Sequence, residues 1–216
     1  GEVTYTVFGE DAHILEINSK TGLYPLYVAY SSYKQKMKGM SDDDWEPEEC
    51  QLFWNETIQN NVFVICKTPM AKSITRRTLC GYSDAIVNAH YFDDLVNMLK
   101  NKPEQFKKRV LKGSYWKKDV NEMKFDAVVG NPPYQEEASG DTNAKKSIYH
   151  YFIDMGQCLS QRGSLIHPAR FLFNAGDTPK DWNNRMLNDS HYKVIKYWSD
   201  SSLVFPTVDI KGGVAI

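Results

Sequence analysis

Four consecutive residues, Asn131, Pro132, Pro133 and Tyr134, follow directly on the apolar run FDAVVG at 125–130. Two prolines in a row fix two backbone φ angles and remove two N–H donors. The side-chain oxygen of Asn131 and the carbonyl oxygen of Pro132 are then acceptors with no local donor to satisfy them. Both can accept from a single NH2 group, and the ring of Tyr134 offers a flat face on which a planar heterocycle can stack. Together they suit a planar molecule that carries an exocyclic amine. Such an amine is a weak nucleophile because its lone pair is delocalised into the ring. Two acceptors on its hydrogens favour a pyramidal nitrogen and return electron density to it. Proton loss can follow the attack, so no strong general base is required.

The elements that must position this corner follow from the hydrophobic pattern. Strand-like runs occur at 12–16, 62–66, 85–88, 125–130, 164–167 and 194–198, with another beginning at 213–216. Between them the spacing predicts helices at 23–33, 70–79, 93–99, 104–111, 147–159 and 179–188. Strands alternating with helices imply an α/β fold with a mostly parallel sheet. In such a sheet ligands bind beyond the carboxyl ends of the strands, where strand order reverses, and the corner at Asn131 lies at such an end. Residues 34–60 are charged and broken by glycine and proline, and are expected to form a surface insertion with one short helix near 51–58.

At 216 residues the chain has room for one large domain, and with 42% apolar and 25% charged residues it has neither a disordered nor a membrane composition. No apolar stretch is long enough to span a bilayer, and the N-terminus has no basic-then-apolar leader, so a cytoplasmic protein with no membrane contact is expected. The four cysteines form no CxxC pair and no zinc spacing with the histidines, which predicts reduced thiols and no metal. Net charge is −1, yet residues 100–124 hold nine Lys or Arg against three acids, either a solvated helix face or a patch that meets phosphates. Both ends of the chain run in strand-like sequence, so a piece of a longer protein is expected.

The form FDAVVGNPPYQ resembles the catalytic motif of the S-adenosylmethionine-dependent amino-methyltransferases, above all the DNA adenine-N6 methyltransferases. It is most similar to the enzymes of type II restriction–modification systems. The resemblance covers nearly the whole chain, with one specific motif and several loose ones. It implies a Rossmann-like class I methyltransferase fold, with a mostly parallel seven-stranded sheet and helices on both faces. It also implies one catalytic domain over 1–216, with no target-recognition domain. The cofactor would be S-adenosyl-L-methionine and the substrate double-stranded DNA with a flipped adenine, with recognition and endonuclease domains fused or supplied by partners.

Residue by residue, the resemblance assigns catalysis to Asn131, Pro132, Pro133 and Tyr134. Phe205, in SSLVFPTVDIKGGVAI, is the candidate ring for packing on the flipped base opposite Tyr134. Glu16 stands where the family keeps an acid at the end of its first strand. INSKTG after it, with Asn18 and Gly22, replaces a glycine-rich cofactor loop. Cys66 occupies the position of the acid that usually holds the ribose, with Lys67 after it, and His90 falls near the third cofactor motif. Two alternatives remain open: a protein-glutamine methyltransferase, and a cofactor-poor module that only binds DNA or partners. A nuclease built on Asp200, Asp209 and Lys211 and a catalytic His167 are set aside, the first because the spacing is common by chance.

Overall fold

The structure, a computed structural model, describes residues 7–38, 46–136 and 146–216. The chain divides into two compact units, Gly1–Gly130 with Met155–Gly163, and Asn131–Asp154 with Ser164–Ile216.

The first unit carries β1 (Ile14–Ser19), α1 (Leu23–Lys36), α2 (Pro47–Asn61), β2 (Val62–Cys66), α3 (Pro69–Cys80), β3 (Asn88–Tyr91), α4 (Leu95–Asn101), α5 (Pro103–Val110) and β4 (Ala127–Gly130). After helix α6 (Tyr149–Leu159), β5 (Gly163–Leu165) begins at Gly163. The sheet has the order β3-β2-β1-β4-β5, and β1 pairs in parallel with both β2 and β4. Every residue of β1 and of β2 is buried. Because alternate side chains of a strand point to opposite faces, both faces of these strands are covered.

Local chemistry starts the helices where they are needed. Pro69 occupies the first turn of α3, and the Thr68 hydroxyl accepts from the Ala71 N–H at 3.1 Å. Helix α2 opens with a capping box between Glu46 and Glu49. It is longer than the short helix expected there, and it buries Thr57, Ile58 and Asn61. Of the expected insertion at 34–60, residues 39–45 lie outside the described residues. Asn61 Nδ2 donates to the carbonyls of Glu10 and Ala12, at 2.8 and 2.9 Å, which ties the helix end to the chain entering β1. Ile14, Val28, Ile58, Val64, Leu79 and Ala127 belong to one core cluster. Each large aliphatic side chain buried there contributes about 1.5–3 kcal/mol.

The second unit holds a small antiparallel sheet of order β6-β8-β7, from β6 (His167–Pro168), β7 (Tyr197–Trp198) and β8 (Val214–Ala215). Helix α7 (Lys180–Leu187) packs Trp182 and Met186 with Tyr149, Ile153 and Phe171. Trp182 Nε1 donates to Asp154 at 2.8 Å.

The expected seven-stranded sheet is therefore corrected: the mostly parallel sheet has five strands, and the last three strands form a sheet of their own. These strands are two residues long, Pro168 in β6 lacks an N–H, and Gly212 and Gly213 enter β8 with positive φ, so a long ladder has neither donors nor extended backbone to continue on. Among the described residues no helix is long and apolar enough to cross a membrane.

Candidate active site

In the first unit strand order reverses between β1 and β4, with β2 and β3 on one side of β1 and β4 on the other. The carboxyl end of β1 is where polar groups enter an otherwise apolar layer. Glu16 is 4% exposed, and its Oε2 has no hydrogen-bond partner among the described residues. Burial pushes its carboxyl up to about 8, offset in part by a bond with the Ser19 side chain. The pairing of β1 with β2 shifts register between Ile17 and Ser19, and Asn18, at that irregularity, has φ of +81°. Asn18 is 3% exposed, and both its Nδ2 and Oδ1 lack partners among the described residues. Each such buried, unmatched group costs about 1–3 kcal/mol, so three of them at one strand end mark a place for a ligand that brings complementary groups.

The loop that follows is held from α3. Ser19 Oγ lies 3.1 Å from Thr75 Oγ1, and Thr78 Oγ1 donates to the Thr21 carbonyl at 2.6 Å. Gly22, with φ of +79°, is the N-cap of α1, and a Cβ there would stand 2.9 Å from Thr75 Cα. Among the described residues no side chain caps this end and no acid lies in the first turn, and Pro25 has no N–H, so what this end offers is the positive end of the helix dipole. Thr75 and Thr78 hold this loop in place, and the sequence reading did not single them out. Their signal is the threonine pair on one face of α3, which is visible only once the loop is known to lie against it.

Across the sheet Ser19 pairs with Cys66, and Cys66 with Tyr91, so the ends of β1, β2 and β3 are level. Cys66 is fully buried, with Sγ 3.8 Å from Thr75 Oγ1, and burial pushes its thiol up to about 11. It stays neutral and lines the layer instead of offering the charge of an acid. Lys67 is half-buried, and its N–H donates to the Ser19 carbonyl at 3.4 Å. His90 stacks on Tyr115 with ring centres 4.1 Å apart and meets Trp116 edge-on at 5.0 Å. Burial first, and then the Lys72 charge, push its pKa down to about 4, so the ring is neutral at pH 7. His90, Lys72, Asp93, Arg109 and Tyr115 border a cavity of about 470 Å³. Tyr115 is a third residue that the sequence reading did not single out.

In the second unit the corner is pinned through its far end. Tyr134 O accepts from Ile148 N at 3.1 Å, Glu136 N donates to Lys146 O at 2.9 Å, and Gln135 bridges to Ser147. Pro132 is buried, and Asn131 Oδ1 is buried with no hydrogen-bond partner among the described residues. The structure brings Phe205 to Tyr134: their ring centres are 6.3 Å apart with planes at 69°. This is an edge-on contact and not a parallel pair. Ser201 holds the turn after Phe205, with its hydroxyl donating to Val208 O and accepting from Ile210 N, both at 2.9 Å. Tyr134, Tyr149, Pro168, Arg170 and Lys211 border a cavity of about 310 Å³.

His167 is a satisfied core histidine. Its Nδ1 lies 3.0 Å from the Pro168 carbonyl and its Nε2 lies 2.6 Å from Tyr192 OH, so Nδ1–H donates and Nε2 accepts. Asp200 is occupied in capping a turn at Ser202 N, 2.9 Å away.

The model of the Eco57I restriction-modification methylase family matches residues 60–205. The chain belongs to that family. The match runs from the residues before β2 to Phe205, and so takes in Cys66, Lys67, His90, Asn131–Tyr134 and the ring beside it, while Glu16, Asn18 and Gly22 precede it. A curated relative from Mycoplasma pneumoniae (strain ATCC 29342 / M129 / Subtype 1), named an uncharacterized adenine-specific methylase, is 33% identical over 104 residues. That alignment covers 47% of this chain and 25% of the relative, so the chain spans about a quarter of that protein's length.

Proposed function

We propose that this protein transfers a methyl group from S-adenosyl-L-methionine to N6 of adenine in double-stranded DNA, as a cytoplasmic component of a restriction–modification system. The observation that carries this reading is Asn131 Oδ1, a buried acceptor without a partner among the described residues, on a proline-locked corner beside Tyr134 in a methylase-family chain. Asn131 and the Pro132 carbonyl accept from the two hydrogens of the adenine amine, and Pro133 keeps them still. Tyr134 stacks on the base and Phe205 closes its edge, which repays part of the few kcal/mol that extruding the nucleotide costs. The reading carries with it a class I methyltransferase domain over 1–216, to which the parallel order β3-β2-β1-β4-β5 lends support. Recognition and endonuclease functions would come from fused or partner domains.

The residues at the end of β1 fit the cofactor. Glu16 Oε2 and the two polar atoms of Asn18 lack partners among the described residues and suit the amine and hydroxyl groups of S-adenosyl-L-methionine; the open end of α1 after Gly22 suits its carboxylate. Lys67 and His90 border it further along the strand ends, with Cys66 as an apolar wall. Bound there, the cofactor supplies an electrophilic methyl group on a sulfonium. The chain's own part is to orient the amine and exclude water.

Transfer of labelled methyl groups into duplex DNA, lost in Asn131→Ala, tests the reading; methylation of a protein acceptor in its place would overturn it. The neutral, buried Cys66 favours a second reading, a module with weak cofactor affinity. Titration calorimetry with S-adenosyl-L-methionine separates the two, because the module predicts no heat at millimolar ligand.

A further inference from the structure

We propose that Arg170 holds a backbone phosphate of the substrate DNA beside the nucleotide whose base meets Tyr134. This rests on the DNA-methylating reading above. Arg170 follows β6 and opens a short 3-10 turn, Arg170–Phe173, with its side chain exposed. Its stem is seated between two glycines from distant parts of the second unit. A Cβ at Gly212 would stand 2.5 Å from Arg170 Cγ, and one at Gly176 would stand 3.4 Å from Arg170 Cβ. Gly212 has φ of +84°, so any L side chain there would be strained as well as in collision with the arginine stem. The seat fixes the stem, and so limits where the guanidinium can go.

The charge of the side chain acts on Tyr149, but among the described residues its donors are not used. A guanidinium has five N–H donors, and among the described residues that of Arg170 has neither a hydrogen bond nor an ion pair. Arg170 borders the cavity of about 310 Å³ that Tyr134 and Tyr149 also line, with Lys211 as the second cation. Asp177 and Asp209 border the same cavity, so it is not simply cationic. What Arg170 adds there is a planar fork in a fixed place. A phosphate is the anion such a fork matches with two parallel hydrogen bonds, and DNA carries one on each side of every nucleotide. A lysine at 170 would keep the charge and lose the fork.

The test uses the full-length protein and a duplex containing its methylation site, with binding followed by fluorescence anisotropy over a range of salt. In Arg170→Ala the slope of log K against log salt should shrink by about 0.9, the value for one lost phosphate contact. Affinity should fall about tenfold. Arg170→Lys should keep the slope and recover only part of that affinity. An unchanged slope in Arg170→Ala, with the melting temperature retained, overturns the proposal, as does full recovery of affinity by lysine. Asn131→Ala, measured alongside, scores the enzymatic reading separately. A wild-type protein that binds the duplex but methylates nothing defeats that reading, while the slope still decides Arg170. A wild-type protein with no affinity for the duplex defeats both.

Discussion

The carboxyl end of β1 and the corner at Asn131 both hold buried polar atoms without partners among the described residues, but they are made rigid by different means. At the corner the rigidity is covalent and local, since Pro132 and Pro133 lock the backbone whatever surrounds them. At the end of β1 it is non-covalent and remote: Ser19 leans on Thr75, 56 positions away, and Thr21 on Thr78, 57 positions away. A locked corner should tolerate change around it and fail only when its own groups are altered. A braced loop should fail when any brace is removed.

Glu16→Gln breaks the comparison on the braced side, with the largest expected effect. The Glu16 carboxyl has a folded pKa near 8, raised from 4.5 by burial. Between those values the folded state binds more protons than the unfolded state, so stability falls as pH rises from about 4.5 to about 8, then levels off. The total is on the order of 4–5 kcal/mol. Glutamine removes that slope, so the variant should melt above the wild type at pH 9 and close to it at pH 5, by scanning calorimetry at both values. Cofactor affinity of the wild type should rise with pH up to about 8, because a carboxylate is the better acceptor, and should be flat in the variant.

Asn131→Ala comes next and strikes the locked side. Removing one of two acceptors should lower kcat about 10²- to 10³-fold, about 2.7–4 kcal/mol, by analogy with the loss of a positioned hydrogen-bonding group elsewhere. Single-turnover methylation measures it. Affinity for S-adenosyl-L-methionine should not change, because in the proposed reading the altered group meets the adenine amine; a parallel loss of cofactor affinity would show that the two regions are coupled.

The same contrast explains what could be read from the sequence. The corner was legible because its chemistry lies in four consecutive residues after an apolar run. The parallel core was legible because VFVIC and AVVG are continuous apolar runs. The braces Thr75 and Thr78 were not legible, since a threonine on a helix signals nothing until the loop it holds is in place. INSKTG looks poor beside a glycine-rich loop for the same reason, as its backbone is shaped by α3. The strand expected at 213–216 is present as β8, but the single seven-stranded sheet was misjudged because Gly212, Gly213 and Pro168 cut short a ladder that the apolar pattern alone extends. His90 lies on β3, which runs to Tyr91 and so past the strand expected at 85–88, and its stacking on Tyr115 comes from a segment 25 positions later, beyond any local pattern.

Gly22→Ala tests the braced loop itself, with an expected loss of about 2 kcal/mol in cofactor binding or stability. Part comes from the left-handed backbone, about 1–2 kcal/mol for an L residue. The rest comes from the collision with Thr75 Cα, which would push α3 from the loop. Calorimetric titration of S-adenosyl-L-methionine should show the weakened binding while any DNA affinity is retained. Retained cofactor affinity together with an unchanged melting temperature would mean that the collision is relieved without moving the loop, and retained affinity with a lowered melting temperature would mean that the loop is not where the ligand binds.

The smallest effect is expected at Phe205, and it sharpens the picture of the corner. The ring meets Tyr134 edge-on at 6.3 Å, an arrangement worth about 0.5–1.5 kcal/mol beyond buried area. Phe205→Leu keeps the apolar bulk and loses only that term, so KM for DNA should rise roughly two- to tenfold with kcat little changed. A fluorescent adenine analogue at the target position separates the two rings. Stacking on Tyr134 quenches it, so Tyr134→Ala should restore the emission and Phe205→Leu should leave most of the quenching in place. Equal recovery in both variants would mean that the base lies between two parallel rings when bound, and that Phe205 turns by more than half a right angle to receive it.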